Sequence, residues 1–263
     1  MELNGARVLI TGATGGIGVA IAAAVTARGA NVVLSGRRAE ALDQVATRFG
    51  ARAVVADLAG PGGAEKLLEE AGDLDVVIAN AALPGSGDLL DYSLTEIDRA
   101  LEVNLRAPIV LARLAGAQMA ERGKGHLVFI NSLSGKAASG KAAMYNATKF
   151  GLRGFALALR ADLQSRGVGV SSIYPGFVRD AGMFVKSGAA VPPGVGTRSP
   201  EDVANAVVRA IERNIAETDV APIPVRLGAT LALIAPNLSS HVQRLFGADK
   251  VMTELAAGHR NMR

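Results

Sequence analysis

The chain has 263 residues, 49% of them hydrophobic, with a mean hydropathy of +0.28, enough to bury a sizeable core in one large α/β domain or two small ones. It contains no cysteine, and its three histidines, His126, His241 and His259, are scattered; disulfides, zinc–thiolate sites and thiol nucleophiles are excluded, and no metal site is expected. The formal charge of +4 and pI near 9.6 suit a polyanionic ligand, but the cations are spread along the chain and aromatics make up only 4% of it. Neither a basic stripe nor a stacking platform for nucleic acid results, and no nucleic-acid partner is expected.

Short β-branched runs alternate with helical stretches. ARVLI, the first strand, leads into a helix from about Gly16 to Arg28, and NVVL into a helix around Glu40 to Phe49. RAVVAD precedes a helix near Ala64 to Glu70, and LDVVIANAA a long helix from about Leu94 to Glu121. HLVFINS precedes a second long helix, from about Ala142 to Arg166, and VGVSSIYP is the sixth and last predicted strand. Repeated βα units whose strands are near-continuous apolar runs predict an α/β fold, a doubly wound parallel sheet of Rossmann type. Ser93 with Glu96 reads as a capping box, Ser199-Pro200-Glu201-Asp202 as an N-cap with proline and acids in the first turn, and Gly29 as the close of the first helix.

No repeat, linker or low-complexity tract divides the chain, so a single domain over residues 1–263 is expected. Two segments depart from the βα pattern. Phe177 to Thr197, rich in Gly, Ala and Pro, has the length of a substrate loop. Residues 221–263 form a C-terminal extension whose run LGATLALIA, Leu227 to Ala235, is too short to cross a bilayer and reads as a helix packed on the sheet or closing a pocket rather than as a membrane contact. MELNGARVLI lacks the basic flank and apolar stretch of a signal peptide, and a soluble, cytoplasmic protein is expected.

The chemistry begins at TGATGGIG, Thr11 to Gly18, between the first strand and an amphipathic helix. Glycines at 12, 16 and 18 allow a tight turn and close backbone approach to a pyrophosphate, whose charge meets the N–H groups of the helix start. At the end of the second strand, where a carboxylate would bind the ribose hydroxyls of NAD, stands SGRR: Gly36 takes the acid's place and Arg37 and Arg38 follow. A guanidinium there can pair with a 2′-phosphate, which favours NADP(H) over NAD(H). Farther on, YNATK sets Tyr145 and Lys149 four apart, on one face of a helix, so that an ammonium could draw the phenol's pKa down towards acid/base service. Ser132 ends the fifth strand on the same rim as the glycine turn, where its hydroxyl can hold a substrate oxygen.

Together these residues resemble the short-chain dehydrogenase/reductase family, in its compact subgroup. The resemblance rests on TGATGGIG, Asp57, the NAA run at Asn80 to Ala82, Asn104, Ser132, YNATK and Tyr174-Pro175-Gly176, in family order. It implies that Gly12, Gly16, Ile17 and Gly18 line the pyrophosphate; Thr14, Gly15, Arg37 and Arg38 are counted with them as cofactor-binding. Asp57 and Leu58 would meet adenine, and Asn80 and Ala81 would border the adenosine side and brace the sheet. Pro175 and Gly176 would pass beside the nicotinamide, and Val178 completes the cofactor set.

For catalysis the resemblance implies Tyr145 as acid/base, Lys149 as orienter of the ribose and tuner of the phenol, and Ser132 as holder of the carbonyl. Asn104 would hold a water linking Lys149 to solvent; a solvated or backbone-bonded asparagine is the plainer alternative. The partners are a small-molecule carbonyl or secondary alcohol and a second copy of the chain, in a homodimer or homotetramer through the two long helices. Pocket positions Leu83, Pro84, Leu133, Ser134, Phe177, Met183, Phe184 and Val185 are mainly apolar and suggest a hydrophobic substrate.

The chain departs from the family at PGFVRD, which puts Asp180 where a threonine commonly contacts the carboxamide, and it lacks the family's usual final strand motif. The glycine spacing at 12, 15 and 18 also fits extended relatives that modify sugar nucleotides, but those carry a larger C-terminal domain. A cofactor-binding sensor or scaffold without catalysis is the alternative function.

Overall fold

The structure, a computed structural model, describes residues 1–188, 195–238 and 248–259. Seven strands form one parallel sheet in the order β3-β2-β1-β4-β5-β6-β7. They are β1 Arg7–Thr11, β2 Asn31–Gly36, β3 Arg52–Val55, β4 Val76–Ala79, β5 Gly125–Ile130, β6 Val168–Pro175 and β7 Glu217–Val220. The six predicted strands are present, and β7 is an addition: it pairs with β6 from Ser172↔Glu217 to Pro175↔Val220. Only Val220 of its four residues is buried, so it lacks the apolar run that marks the others.

Because side chains alternate across a strand, each apolar run feeds two cores. Val8, Ile10, Val32, Leu34, Val76, Ile78 and Val128 face Ile21 and Val25 of α1 (Gly16–Thr26) and Val203, Val207 and Ile211 of α8 (Pro200–Arg213). On the other face Leu9, Val33, Val77, Leu127 and Phe129 meet Leu67 of α3 (Gly63–Ala71), Leu111 and Met119 of α5 (Ala107–Glu121), and Leu152 and Leu163 of α6 (Ala143–Gln164). Full burial of one such side chain stabilises the fold by roughly 1.5–3 kcal/mol. Further helices among the described residues include α2 (Ala39–Phe49), α4 (Leu94–Leu101), α7 (Gly182–Ser187), α9 (Ile223–Ile234) and α10 (Ala248–His259).

The caps form as the sequence predicts. Ser93 and Glu96 make the reciprocal bonds of a capping box at α4, and Ser199 with Asp202 does so at α8. The first helix ends at Thr26, two residues before the predicted Arg28, and Gly29 lies in the turn beyond it at φ 77. The long fourth helix is interrupted: Glu102–Arg106 form a π turn between α4 and α5. Pro108 explains it, because proline offers no N–H to the carbonyl of Asn104 and its ring would collide with that carbonyl in a straight helix; the Ala107 N–H bonds Glu102 instead, five residues back.

Strand order reverses at β1, which has β2 on one side and β4 on the other. Ligands of open α/β sheets bind at that crevice, beyond the carboxyl ends of the strands. All the candidate residues that follow strands, Gly12, Arg37, Asp57, Asn80, Ser132 and Gly176, lie along this one rim.

Candidate active site

The glycine turn is held from below. Gly12 takes φ 63, and a Cβ there would sit 2.8 Å from the Ala81 Cα; one on Gly18 would sit 2.8 Å from the Ala13 Cα. The Asn80 amide donates to the Thr11 carbonyl (2.9 Å) and the Gly12 carbonyl (3.1 Å), while the N–H groups of Asn80 and Ala81 both donate to the Thr11 hydroxyl at 3.0 Å. Asn80 and Ala81 thus brace the sheet as expected. Thr11 joins them unforeseen, its signal being a fully buried hydroxyl at the end of an apolar strand. The α1 N-cap is Gly15, and no side chain caps the helix, so its first N–H groups are left for a ligand. A bare backbone and an uncapped, positive helix end fit a dinucleotide's pyrophosphate.

Arg37 and Arg38 are exposed just beyond β2. Asp57 turns back to accept the N–H of Ala59 at 3.1 Å. The side chain of Leu58 is only 7% exposed and packs in the core with Val54 and Leu67, because an isobutyl group gains more there than on a wet rim.

Ser132, Tyr145 and Lys149 converge on one cavity of about 730 Å³ that is also lined by Ile17, Asn80, Pro175, Gly176 and Val178. Its walls include Pro84, Leu133, Ser134, Phe177, Met183 and Phe184, as predicted. Leu83 and Val185 are outside the lining: Leu83 is buried and Val185 is 48% exposed. The extension contributes Val225, Ala229 and Leu231 of α9 and Met252, Leu255 and His259 of α10. LGATLALIA is therefore a helix closing a pocket, and the ring Nε2 of His259 lies 2.9 Å from the Met183 carbonyl, tying α10 to α7. The rest of the expected loop, residues 189–194, is outside the described residues, as are 239–247 and 260–263 of the extension.

The Tyr–Lys pair is assembled differently from the sequence expectation. The Lys149 Nζ lies 5.6 Å from the Tyr145 ring centroid and donates to the Ile130 carbonyl at 3.1 Å. Burial pushes the ammonium down to about 8. Burial also pushes the Tyr145 phenol up to about 12, opposed by its hydrogen bond with Ser132. Desolvation, which penalises the charged form of either group, is the largest cause of both shifts.

Ser132 is positioned by a network that the sequence did not single out. Its N–H donates to the Asn131 Oδ1 at 2.9 Å, and the Asn131 amide donates to the Lys149 carbonyl at 3.2 Å. The Ser132 Oγ caps the short 3-10 turn Leu133–Gly135 by accepting the Ser134 N–H at 3.1 Å. Asn146, inside YNATK, donates to the carbonyls of Ser134 (2.7 Å) and Ala137 (3.2 Å). Asn131 and Asn146 flank the predicted residues, and their burial marks them as braces.

The Asn104 side chain is bonded to backbone. Its Oδ1 accepts the Leu83 N–H at 2.7 Å and its Nδ2 donates to the Leu83 carbonyl at 2.9 Å, so the side chain fixes the segment entering the pocket wall. Asp180 adopts φ 62, and its side chain is 76% exposed and paired with Arg179 at 3.5 Å. Its neighbour Ala181 packs against Gly16 at the start of α1. Among the described residues no group of three or more acidic or histidine side chains could hold a metal ion, and no helix is long and apolar enough to cross a membrane.

Comparison with known proteins agrees with this geometry. Residues 6–191 match the family model described as short chain dehydrogenase, and the chain belongs to the short-chain dehydrogenase/reductase family. Over 259 residues it is 35% identical to the ketoacyl reductase HetN of Nostoc sp. strain PCC 7120, covering 93% of this chain and 90% of that protein. An uncharacterised oxidoreductase of Staphylococcus aureus strain USA300 is 33% identical over 226 residues, 82% of this chain and 96% of the other. Among solved structures, a short chain dehydrogenase/reductase family protein superposes with a TM-score of 0.77 at 30% identity over 83% of this chain and 97% of its own. A short-chain dehydrogenase from Sphingobium yanoikuyae in complex with NADPH does so with 0.75 at 25% identity, over 94% and 95%. The chain is thus an oxidoreductase of this family.

Proposed function

We propose that this oxidoreductase uses NADP(H) and interconverts a carbonyl and a secondary alcohol on an apolar small molecule. The observation that carries the reading is the convergence of Ser132, Tyr145 and Lys149 on the wall of a largely apolar cavity that also reaches Ile17 at the start of α1. Gly12, Thr14, Gly15, Gly16, Ile17 and Gly18 would hold the pyrophosphate. Asp57, Leu58, Asn80 and Ala81 would border the adenosine, and Pro175, Gly176 and Val178 the nicotinamide. Arg37 and Arg38, next to a position that lacks an acid, support NADP over NAD, as does the NADPH bound to a structural neighbour.

When bound, the nicotinamide supplies or accepts the hydride. The chain's own groups handle the proton and the charge. Tyr145, a protonated phenol at neutral pH, gives its proton to the carbonyl oxygen as negative charge develops there, and Ser132 donates a hydrogen bond to the same oxygen. In the oxidative direction Tyr145, deprotonated, receives the alcohol's proton. Lys149 has three donors; one is spent on Ile130, leaving two for ribose hydroxyls. Asn104 supports the pocket wall and, by resemblance, the proton path to Lys149.

Phe177, Phe184, Met183, Leu133 and the α9 and α10 residues make the acceptor side apolar, which supports a steroid, fatty or aromatic substrate. Leu114, Phe150 and Leu157 on the long helices are partly exposed and support association into a homodimer or homotetramer through them. The test is NADPH consumption over a panel of apolar ketones and aldehydes, repeated with NADH. Turnover with a preference for NADPH is expected; NADPH binding without turnover across the panel would favour a sensor, and no binding would overturn the reading.

A further inference from the structure

Lys136 stands directly after the 3-10 turn whose first residue is capped by Ser132. Its side chain is 9% exposed, and its Nζ lies 2.7 Å from Asp219 Oδ1, 3.4 Å from Glu217 Oε2 and 4.0 Å from the Tyr174 ring centroid. Glu217 in turn accepts from Arg153 Nε at 2.9 Å and Nη2 at 3.3 Å and from the Tyr174 hydroxyl at 2.5 Å. Arg153 is one helical turn beyond Lys149 on α6, and Tyr174 immediately precedes Pro175 and Gly176. One carboxylate of β7 therefore joins the turn bearing Ser132, the helix bearing Tyr145 and Lys149, and the strand leading to the nicotinamide side.

We propose that Lys136, anchored by Asp219 and Glu217 of β7, is a positioning residue that fixes Ser132 relative to Tyr145. The proposal rests on the roles given to Ser132 and Tyr145 above. Buried ion pairs are seldom better than apolar packing for stability alone, whereas hydrogen-bonded charges fix direction as well as distance. The turn is pinned at both ends: Ser132 Oγ holds the N–H of Ser134, and the Lys136 N–H donates to the Leu133 carbonyl at 2.9 Å while its ammonium is drawn to β7. Leu133 and Tyr174 pack with Ala221 and with Ala229 and Val225 of α9, so the same brace reaches the helix that closes the substrate side. This also gives β7 its purpose: a strand with three polar residues out of four spends Glu217 and Asp219 on the brace.

The experiment compares wild type, Lys136→Met, Lys136→Arg and the double variant Lys136→Met/Asp219→Leu, with the ketone that wild type turns over fastest and NADPH. Lys136→Met is expected to lower kcat by about 10- to 100-fold with the NADPH Kd unchanged within about 2-fold, and Lys136→Arg to recover most of the loss. Hydrogen exchange of the segment 131–139 should quicken in Lys136→Met while the amides of α1 and α5 keep their protection. Should Lys136→Met unfold, the double variant, which replaces the pair with apolar groups, carries the same test: it should be folded and still slow. A kcat within about 2-fold of wild type in a folded variant overturns the proposal, and so does a loss of kcat matched by equal loss of NADPH binding and protection everywhere. The exchange readout needs no turnover, so a failure of the catalytic reading, seen as full activity in Tyr145→Phe, is separable from a failure of the brace.

Discussion

The two halves of the site are held by different means. On the side of β1 to β4 close backbone packing does most of the work: Gly12 and Gly18 lie where a Cβ would collide with backbone, and the Asn80 amide and Thr11 hydroxyl tie the turn to the sheet by bonding main-chain groups. On the side of β5 to β7 the work falls to side chains distant in sequence, with Lys136 reaching Asp219, Arg153 reaching Glu217, and α9 and α10 supplying the far wall. A diphosphate is the same in every dinucleotide, so a rigid, side-chain-poor cradle suffices for it. A substrate must be told from its competitors, and that calls for walls made of replaceable side chains.

The contrast can be broken at the glycine turn first. Gly12→Val puts a β-branched residue at φ 63, a conformation such residues avoid, with its Cβ against Ala81. NADPH affinity should fall by more than about 100-fold, read by fluorescence titration, and stability by about 3 kcal/mol, read by denaturant unfolding. Unchanged NADPH affinity would show that this half is more tolerant than its geometry implies. On the adenosine edge, where the cradle does use side chains, Arg37→Ala should raise the KM for NADPH by about 10-fold and leave that for NADH unchanged, one lost charge-assisted pair being worth that much.

The side-chain half should also announce itself in pH. Burial works against the Glu217 carboxylate, but the hydrogen bonds from Arg153 and Tyr174 and the charges of Lys136 and Arg153 outweigh it and hold Glu217 down to about 2. A depressed folded pKa means stability that is present above the unfolded value of 4.5 and lost as pH falls towards 2. Between pH 5 and 3 the wild type should lose about 2 kcal/mol more than Glu217→Gln in urea titrations. Equal slopes would deny the brace its charge. Lys149, brought down to about 8 from 10.5, acts in the alkaline window: the native chain sheds a proton that the unfolded chain keeps, so its contribution makes stability rise from pH 8 to 10.5. The smallest effect belongs to a cap remote from both halves. Ser199→Ala should cost about 1 kcal/mol and leave turnover unchanged; a loss of turnover would couple α8 to the chemistry.

The backbone half was the more legible of the two in the sequence. Apolar runs, the glycine turn and the caps at Ser93 and Ser199 are local signals, and each appears where expected. The misses are long-range. β7 reads ETDV and shows no apolar alternation, because its polar residues are spent on partners more than forty positions away. The π turn at Asn104 follows from Pro108, a signal that was present but sat inside an otherwise continuous helical pattern. Tyr145 and Lys149 were placed correctly on one helical face, but their titration depends on depth of burial, which spacing alone does not encode.

The most direct test is turnover by Tyr145→Phe, measured beside wild type with the same ketone at saturating NADPH. Removal of a single hydroxyl should abolish at least about 10³-fold of the rate and leave NADPH bound as tightly as before. Turnover equal to wild type, in a variant that binds the cofactor normally, would contradict the assignment of that phenol as the proton donor.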